Sequence, residues 1–105
     1  MLDYTQRAKK ALVVKLADET VVRIGAPKKK LFSKLGGLEK TLKATTDIEP
    51  LYDEILRVTA DILSNNAEHR VFTADEVDEL MDIEDMALLI REFSAFAKGL
   101  TNDPN

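Results

Sequence analysis

The chain has no cysteine, no tryptophan and a single histidine, His69. Without cysteine there is no disulfide, no thiolate metal site and no sulfur nucleophile, and thiols carry no information on redox compartment. Aromatics stand at 6%, which weakens the case for a surface on which bases would stack. His69 lies beside Asn66 and Glu68 with no second nitrogen or sulfur ligand, whereas zinc sites usually collect several such side chains. No apolar run approaches the roughly 18 residues of a membrane span. The opening "MLDYTQRAKK" has no apolar stretch ahead of its basic residues, so it does not read as a secretory signal. The expectation is a cytoplasmic protein that makes no use of a membrane.

What is present suits one domain. The 105 residues are 45% hydrophobic and 32% charged, enough for a modest core under a well-solvated surface. The net charge of −4 hides a division. Residues 1–45 hold eleven Lys/Arg against four Asp/Glu, a balance of +7. Residues 46–105 hold four against fifteen, a balance of −11. Either the halves face each other within the fold and the solvent, or the asymmetry steers a charged partner or head-to-tail self-association.

The periodicity predicts an α+β domain, mostly helical, with one N-terminal β-hairpin and about four helices. Residues 1–10 read as a loose arm or a short helix. Over residues 11–25, Leu12, Val14 and Leu16 alternate, "ADET" turns the chain, and Val21–Ile24 resume until Gly25 and Pro27 stop the strand. Helices are expected over 27–98. Pro27 fits a first helical position. Leu31, Leu35, Leu38 and Leu42 then form one stripe, with Gly36-Gly37 inside it. Each glycine costs about 1 kcal/mol against alanine in a helix interior, which favours a break there over a hinge.

"TTDIEP" has capping-box spacing from Thr46 to Glu49. The broad stripe Leu51, Tyr52, Ile55, Leu56, Thr59, Ile62, Leu63 marks the central helix. Asn65 or Asn66 is expected to end it in the left-handed conformation. "TADE" from Thr73 to Glu76 is a second capping box, with Phe72 and Val77 placed as its hydrophobic staple, opening an acidic helix over Ala74–Met81. Asp82 caps a last helix with the stripe Ile83, Met86, Leu89, Ile90, Phe93, Phe96; Gly99 should end it, leaving 99–105 as a tail. The "ILSNNAEHRVFTADE" stretch is on this reading a joint between helices.

No catalytic constellation emerges. The run "DEVDELMDIED" lacks the oxygen-ligand spacing and central glycine of a calcium loop. Its carboxylates suit helix starts and a solvated face. Gly36-Gly37 lacks the lysine and hydroxyl of a phosphate loop. Ser33, Ser64 and Ser94 have no histidine recognisably placed for a nucleophile pair. The expectation is a nonenzyme with no catalytic, metal or cofactor-binding residues. Lys28, Lys29, Lys30, Lys34, Lys40 and Lys43 form a basic patch able to neutralise phosphates. Net acidity and the lack of interleaved aromatics weigh against nucleic acid. The last two helices match a helix-turn-helix in outline, but "DIEDMALLIREF" would present carboxylates to phosphate.

"KLADETVVRIGAPKKKLFSKL", "YDEILRVTADILSNN" and "VFTADEVDELMDIEDMALLIREFSAF", in that order, resemble the tail assembly chaperone-like proteins of long-tailed bacteriophages and prophages. The resemblance covers about residues 11–98. It implies a noncatalytic protein of the bacterial host cytoplasm that binds the long, helical tape-measure protein, keeps it soluble for tail assembly, and self-associates into an oligomer.

Such a task needs an apolar groove in a charged body. Two stripes are candidates for partner binding: Leu31, Phe32, Leu35 and Leu38, and Phe93, Phe96 and Leu100. The alternative, that both are ordinary core, is the favoured one. Leu35→Asp is expected to abolish partner binding with helix content intact if the groove reading holds. A generic protein-binding regulatory module, or a weak nucleic-acid binder through Lys28–Lys30, remains open as an alternative.

Overall fold

In a computed structural model, which describes the backbone over residues 11–102 and the side chains through residue 99, two strands precede four helices. Strand β1 (Leu12–Lys15) and strand β2 (Val21–Ile24) form an antiparallel hairpin. Helices α1 (Lys29–Ala44), α2 (Tyr52–Ser64), α3 (Ala74–Leu80) and α4 (Ile83–Asn102) follow, with a short 3-10 turn at Glu49–Leu51 before α2. The fold is α+β, as the periodicity predicts. The expected arm at 1–10 lies outside the described residues.

The hairpin register pairs Leu12 with Ile24 and Val14 with Val22. Those four turn toward the helices, with Val22 and Ile24 fully buried, while Val13, Lys15, Val21 and Arg23 face outward. The turn is closed by Leu16 and Thr20. Asp18 Oδ1 accepts the Thr20 N–H at 3.1 Å, and Glu19 adopts φ 71°. That left-handed position usually falls to glycine or asparagine, so the Asp18 bond and the closing Leu16–Thr20 bond hold Glu19 in a conformation costly for it.

Helix α1 departs from two expectations. It starts at Lys29, with Pro27 outside it, and Lys28 offers no side-chain cap. It also runs unbroken through Gly36-Gly37. Burial decides this. Leu35 and Leu38, on the same stripe, are buried against α2 and α4, and each buried leucine contributes roughly 1.5–3 kcal/mol, more than the glycine on its side costs. Both glycines are exposed, and a methyl group at either would meet nothing within 4 Å. Gly36→Ala combined with Gly37→Ala is therefore expected to stabilise the protein by roughly 1–2 kcal/mol, read as a higher urea midpoint at unchanged slope. A lower midpoint would mean the helix needs flexibility there.

The expected Thr46–Glu49 capping box does not form. Thr45 Oγ1 accepts the Asp47 N–H, and Asp47 Oδ1 accepts the Glu49 N–H at 3.1 Å, so the turn is tied two residues at a time. Helix α2 is the hub, as its broad stripe predicts, and packs on α1, α3, α4 and β2. Ile55, Val58, Thr59, Ala60, Ile62 and Leu63 are its buried residues. The Thr59 hydroxyl donates to the Ile55 carbonyl at 2.8 Å, so this polar atom is buried without penalty.

The Thr73–Glu76 capping box is present in both directions. Phe72 and Val77 sit in the same buried cluster, as a staple across that box requires. Asp82 and Asp85 form an equivalent reciprocal pair at the start of α4: Asp82 Oδ1 accepts the Asp85 N–H at 2.8 Å and Asp85 Oδ2 accepts the Asp82 N–H at 3.2 Å. Met86, Leu89, Ile90 and Phe93 carry the buried face of α4. Helix α4 passes Gly99 and continues to Asn102, so the expected tail boundary at residue 99 is not a helix end. One exposed glycine near a terminus costs too little to stop a helix already docked along its length.

Candidate functional site

The joint between α2 and α3 is built from asparagines, though not as the sequence predicts. Asn65, the residue that ends α2, has φ −84°, and neither Asn65 nor Asn66 enters the left-handed region. His69 does, at φ 58°. The asparagine amides serve as long-range pins instead. Asn65 Nδ2 donates to the carbonyls of Gly25 and Ala26 at 3.0 and 3.2 Å, and the Asn65 carbonyl accepts the Gly25 N–H. Asn66 is buried. Its Nδ2 donates to the Leu63 and Arg70 carbonyls, both at 2.7 Å, and its Oδ1 accepts the Arg70 N–H at 2.9 Å. Ser64 Oγ both donates to the Phe72 carbonyl and accepts its N–H.

The same segment covers the outer edge of β2. Ile24 bridges Asn66, Ala67 N–H donates to the Arg23 carbonyl, and Glu68 accepts the Arg23 N–H at 2.9 Å. That backbone bond, followed by the Arg23 guanidinium, holds the Glu68 carboxyl below its ordinary value. The stabilisation is whole above the ordinary glutamate range and is lost as pH falls through the depressed folded-state value. His69 is exposed, and among the described residues no group of three or more side chains is arranged to hold a metal ion.

Elsewhere the charged groups tie elements together. Lys34 pairs with Asp61 at 3.1 Å, so this member of the basic patch is engaged by the acidic half. Ser94 Oγ donates to Glu39, whose carboxylate also meets Lys98 at 3.4 Å, joining α1 to α4. Tyr52 donates its hydroxyl to Asp78 at 3.2 Å, joining α2 to α3. Partial burial, then that bond, raises the Tyr52 pKa.

The two stripes proposed for partner binding converge, but in the core. Leu35, Leu38 and Phe93 are buried together in one cluster, with Leu31 and Phe96 half-buried against it. The Phe93 and Phe96 rings lie 6.0 Å apart. Phe32 alone of the first stripe is exposed, and Leu100 lies beyond the described side chains. A helical stripe reports that a face is covered; whether its own chain or a partner covers it depends on where the neighbouring helices lie.

The open apolar surface is elsewhere. A groove of about 560 Å³ runs between β1 and the corner where α3 meets α4. Leu12, Val14 and Leu16 form one wall and Met81, Leu88 and Leu89 the other. Asp85 and Glu92, two turns apart on α4, place carboxylates along it. Val13 and Leu88 are large apolar side chains left 62% and 46% exposed at this place. Sequence reasoning missed the groove, although a signal existed. Val13 sits on the outward phase of its strand, and Leu88 falls outside the Met86–Leu89–Ile90–Phe93 stripe. Apolar residues out of phase with a buried face are candidates for a second one.

No helix among the described residues is long and apolar enough to cross a membrane. Comparison with protein-family models, with curated proteins and with solved structures finds no match to this chain.

Proposed function

We propose that the protein is a noncatalytic binding domain that docks a segment of another protein in the groove between β1 and the α3–α4 corner. The observation that carries this reading is the groove itself: a concave, mainly apolar surface with exposed Leu88 and Val13, in a chain whose other large apolar stripes are used in its own core. Grooves of this kind bind protein segments by burying apolar side chains, with polar groups at the rim for orientation. The resemblance to tail assembly chaperone-like proteins names the partner as a phage tape-measure protein, held soluble in the bacterial cytoplasm until the tail tube is built.

The test is co-expression with a long helical tape-measure protein, followed by affinity purification through moderate salt. A complex that survives salt supports apolar docking, and Leu88→Asp should abolish it while leaving the circular dichroism spectrum unchanged. Binding that instead falls steeply with salt and follows nucleic acid would place the activity on Lys28–Lys30. A complex unaffected by Leu88→Asp would remove the groove as the site.

A further inference from the structure

The two edges of the hairpin are not alike. The outer edge of β2 is covered by residues 65–68. Among the described residues nothing pairs with the outer edge of β1. The direction of its main-chain groups follows from the ladder. Leu16 N–H donates across the hairpin to Thr20, so Leu16, Val14 and Leu12 turn their N–H and C=O groups inward, by alternation. The other strand gives the same phase independently. Arg23, opposite Val13, turns both its N–H and its C=O away from β1, toward Glu68 and Ala67. Val13 and Lys15 therefore direct their N–H and C=O groups off the free edge.

Directly beneath that edge lies the groove. A segment pairing with Val13 and Lys15 would be extended, and alternate side chains would point into the apolar space between β1 and Leu88 and Leu89. Asp85 and Glu92 line that space about 10 Å apart along the helix axis, against the single cation Lys15 on the strand side. They sit in the acidic half of the chain. Side chains four apart on one face of a strand are separated by about 13 Å, within reach of both carboxylates for flexible basic side chains.

We propose that the β1 edge and the groove form a strand-addition site, taking an extended segment of a partner protein with an apolar residue flanked by basic residues on its inward face. This rests on the groove being a protein-binding site and adds how the partner is held: by main-chain pairing, not by a helix lying in the groove.

The probe is the capped peptide Thr-Lys-Thr-Leu-Thr-Lys-Thr, titrated into the isotope-labelled full chain. The Val13 and Lys15 amides should shift and their hydrogen exchange should slow. Val13→Pro is the informative variant. The Val13 N–H takes no part in the hairpin ladder, so proline at this edge should leave the hairpin intact, read from the protected Leu16 amide, while removing the outward donor. Peptide affinity should then fall about tenfold or more. Glu92→Lys should weaken it several-fold, about threefold.

Unchanged binding by Val13→Pro would overturn strand addition. If Leu88→Asp still abolished binding of the tail protein, the groove reading would survive alone. No peptide binding, together with no loss of tail-protein binding in Leu88→Asp, would sink both. Concentration-dependent shifts of the Val13 and Lys15 amides without peptide would assign the edge to a second copy. Protection there at every dilution would assign it to this chain's own residues. Either result overturns the proposal.

Discussion

Leu35→Asp is expected to leave the protein largely unfolded at room temperature. Leu35 is 3% exposed and sits where α1 meets the core. Removing its side chain alone costs roughly 2–5 kcal/mol. Putting an ionised carboxylate there adds several more, because Leu35 packs within the apolar cluster. A domain of this size has a total stability of about 5–15 kcal/mol, so the substitution consumes most of it. Far-ultraviolet circular dichroism and urea unfolding read the outcome. Native helix content with an unchanged midpoint would put Leu35 on the surface and return the stripe to the candidates for partner binding. Leu35→Ala gives a graded control, folded and destabilised by the first contribution only.

Asn66→Ala should be the most damaging polar truncation in the joint. One side chain makes three hydrogen bonds at 2.7–2.9 Å between the end of α2 and Arg70, the one to the Leu63 carbonyl buried and the two to Arg70 partly buried. Alanine leaves the Leu63 carbonyl and both main-chain groups of Arg70 without that partner. Each buried polar group left unsatisfied costs about 1–3 kcal/mol, and with partial relaxation the sum is expected near 3 kcal/mol. Asn66→Asp should be no better, since it keeps the acceptor for Arg70 N–H but turns an anion toward two carbonyls. Asn65→Ala should cost less, because its bonds to Gly25 and Ala26 lie in partly exposed surroundings. Urea midpoints rank the three. Amide exchange at Arg70 and Ile24 should quicken in Asn66→Ala beyond the global change. An effect within about 0.5 kcal/mol would mean that water replaces the asparagine and the pin is dispensable.

Asn66 and Leu35 also mark where sequence reasoning stopped. Both were legible as important. The periodicity gives the stripe containing Leu35 as one apolar face and leaves open whether it is a partner's groove or core, because a groove and a core have the same period. The asparagines stand at the end of α2, as expected, but neither adopts the left-handed conformation expected of it; in this joint His69 does. Asparagine tolerates the left-handed region, yet its amide is worth more where it reaches two carbonyls, and no local rule reveals that those carbonyls are near.

The features that the sequence determined by itself act within about four residues. The Thr73–Glu76 and Asp82–Asp85 caps, the strand alternation of β1 and β2, and the stripes of α2 and α4 each depend on neighbours that the chain places automatically. The tertiary structure decided what depends on distant partners. It carried α1 through Gly36-Gly37, because the leucines on either side are buried against helices far along the chain. It drew Asn65 to Gly25, forty residues away, and so closed the β2 edge, while among the described residues nothing pairs with the outer edge of β1. It put Leu35, Leu38 and Phe93 of the two candidate stripes into the core and opened a groove beside Leu88. Local hydrogen bonds and turn geometry are set by short spacing, whereas burial is a competition among all faces for the same limited interior, and that competition is resolved only when the elements pack.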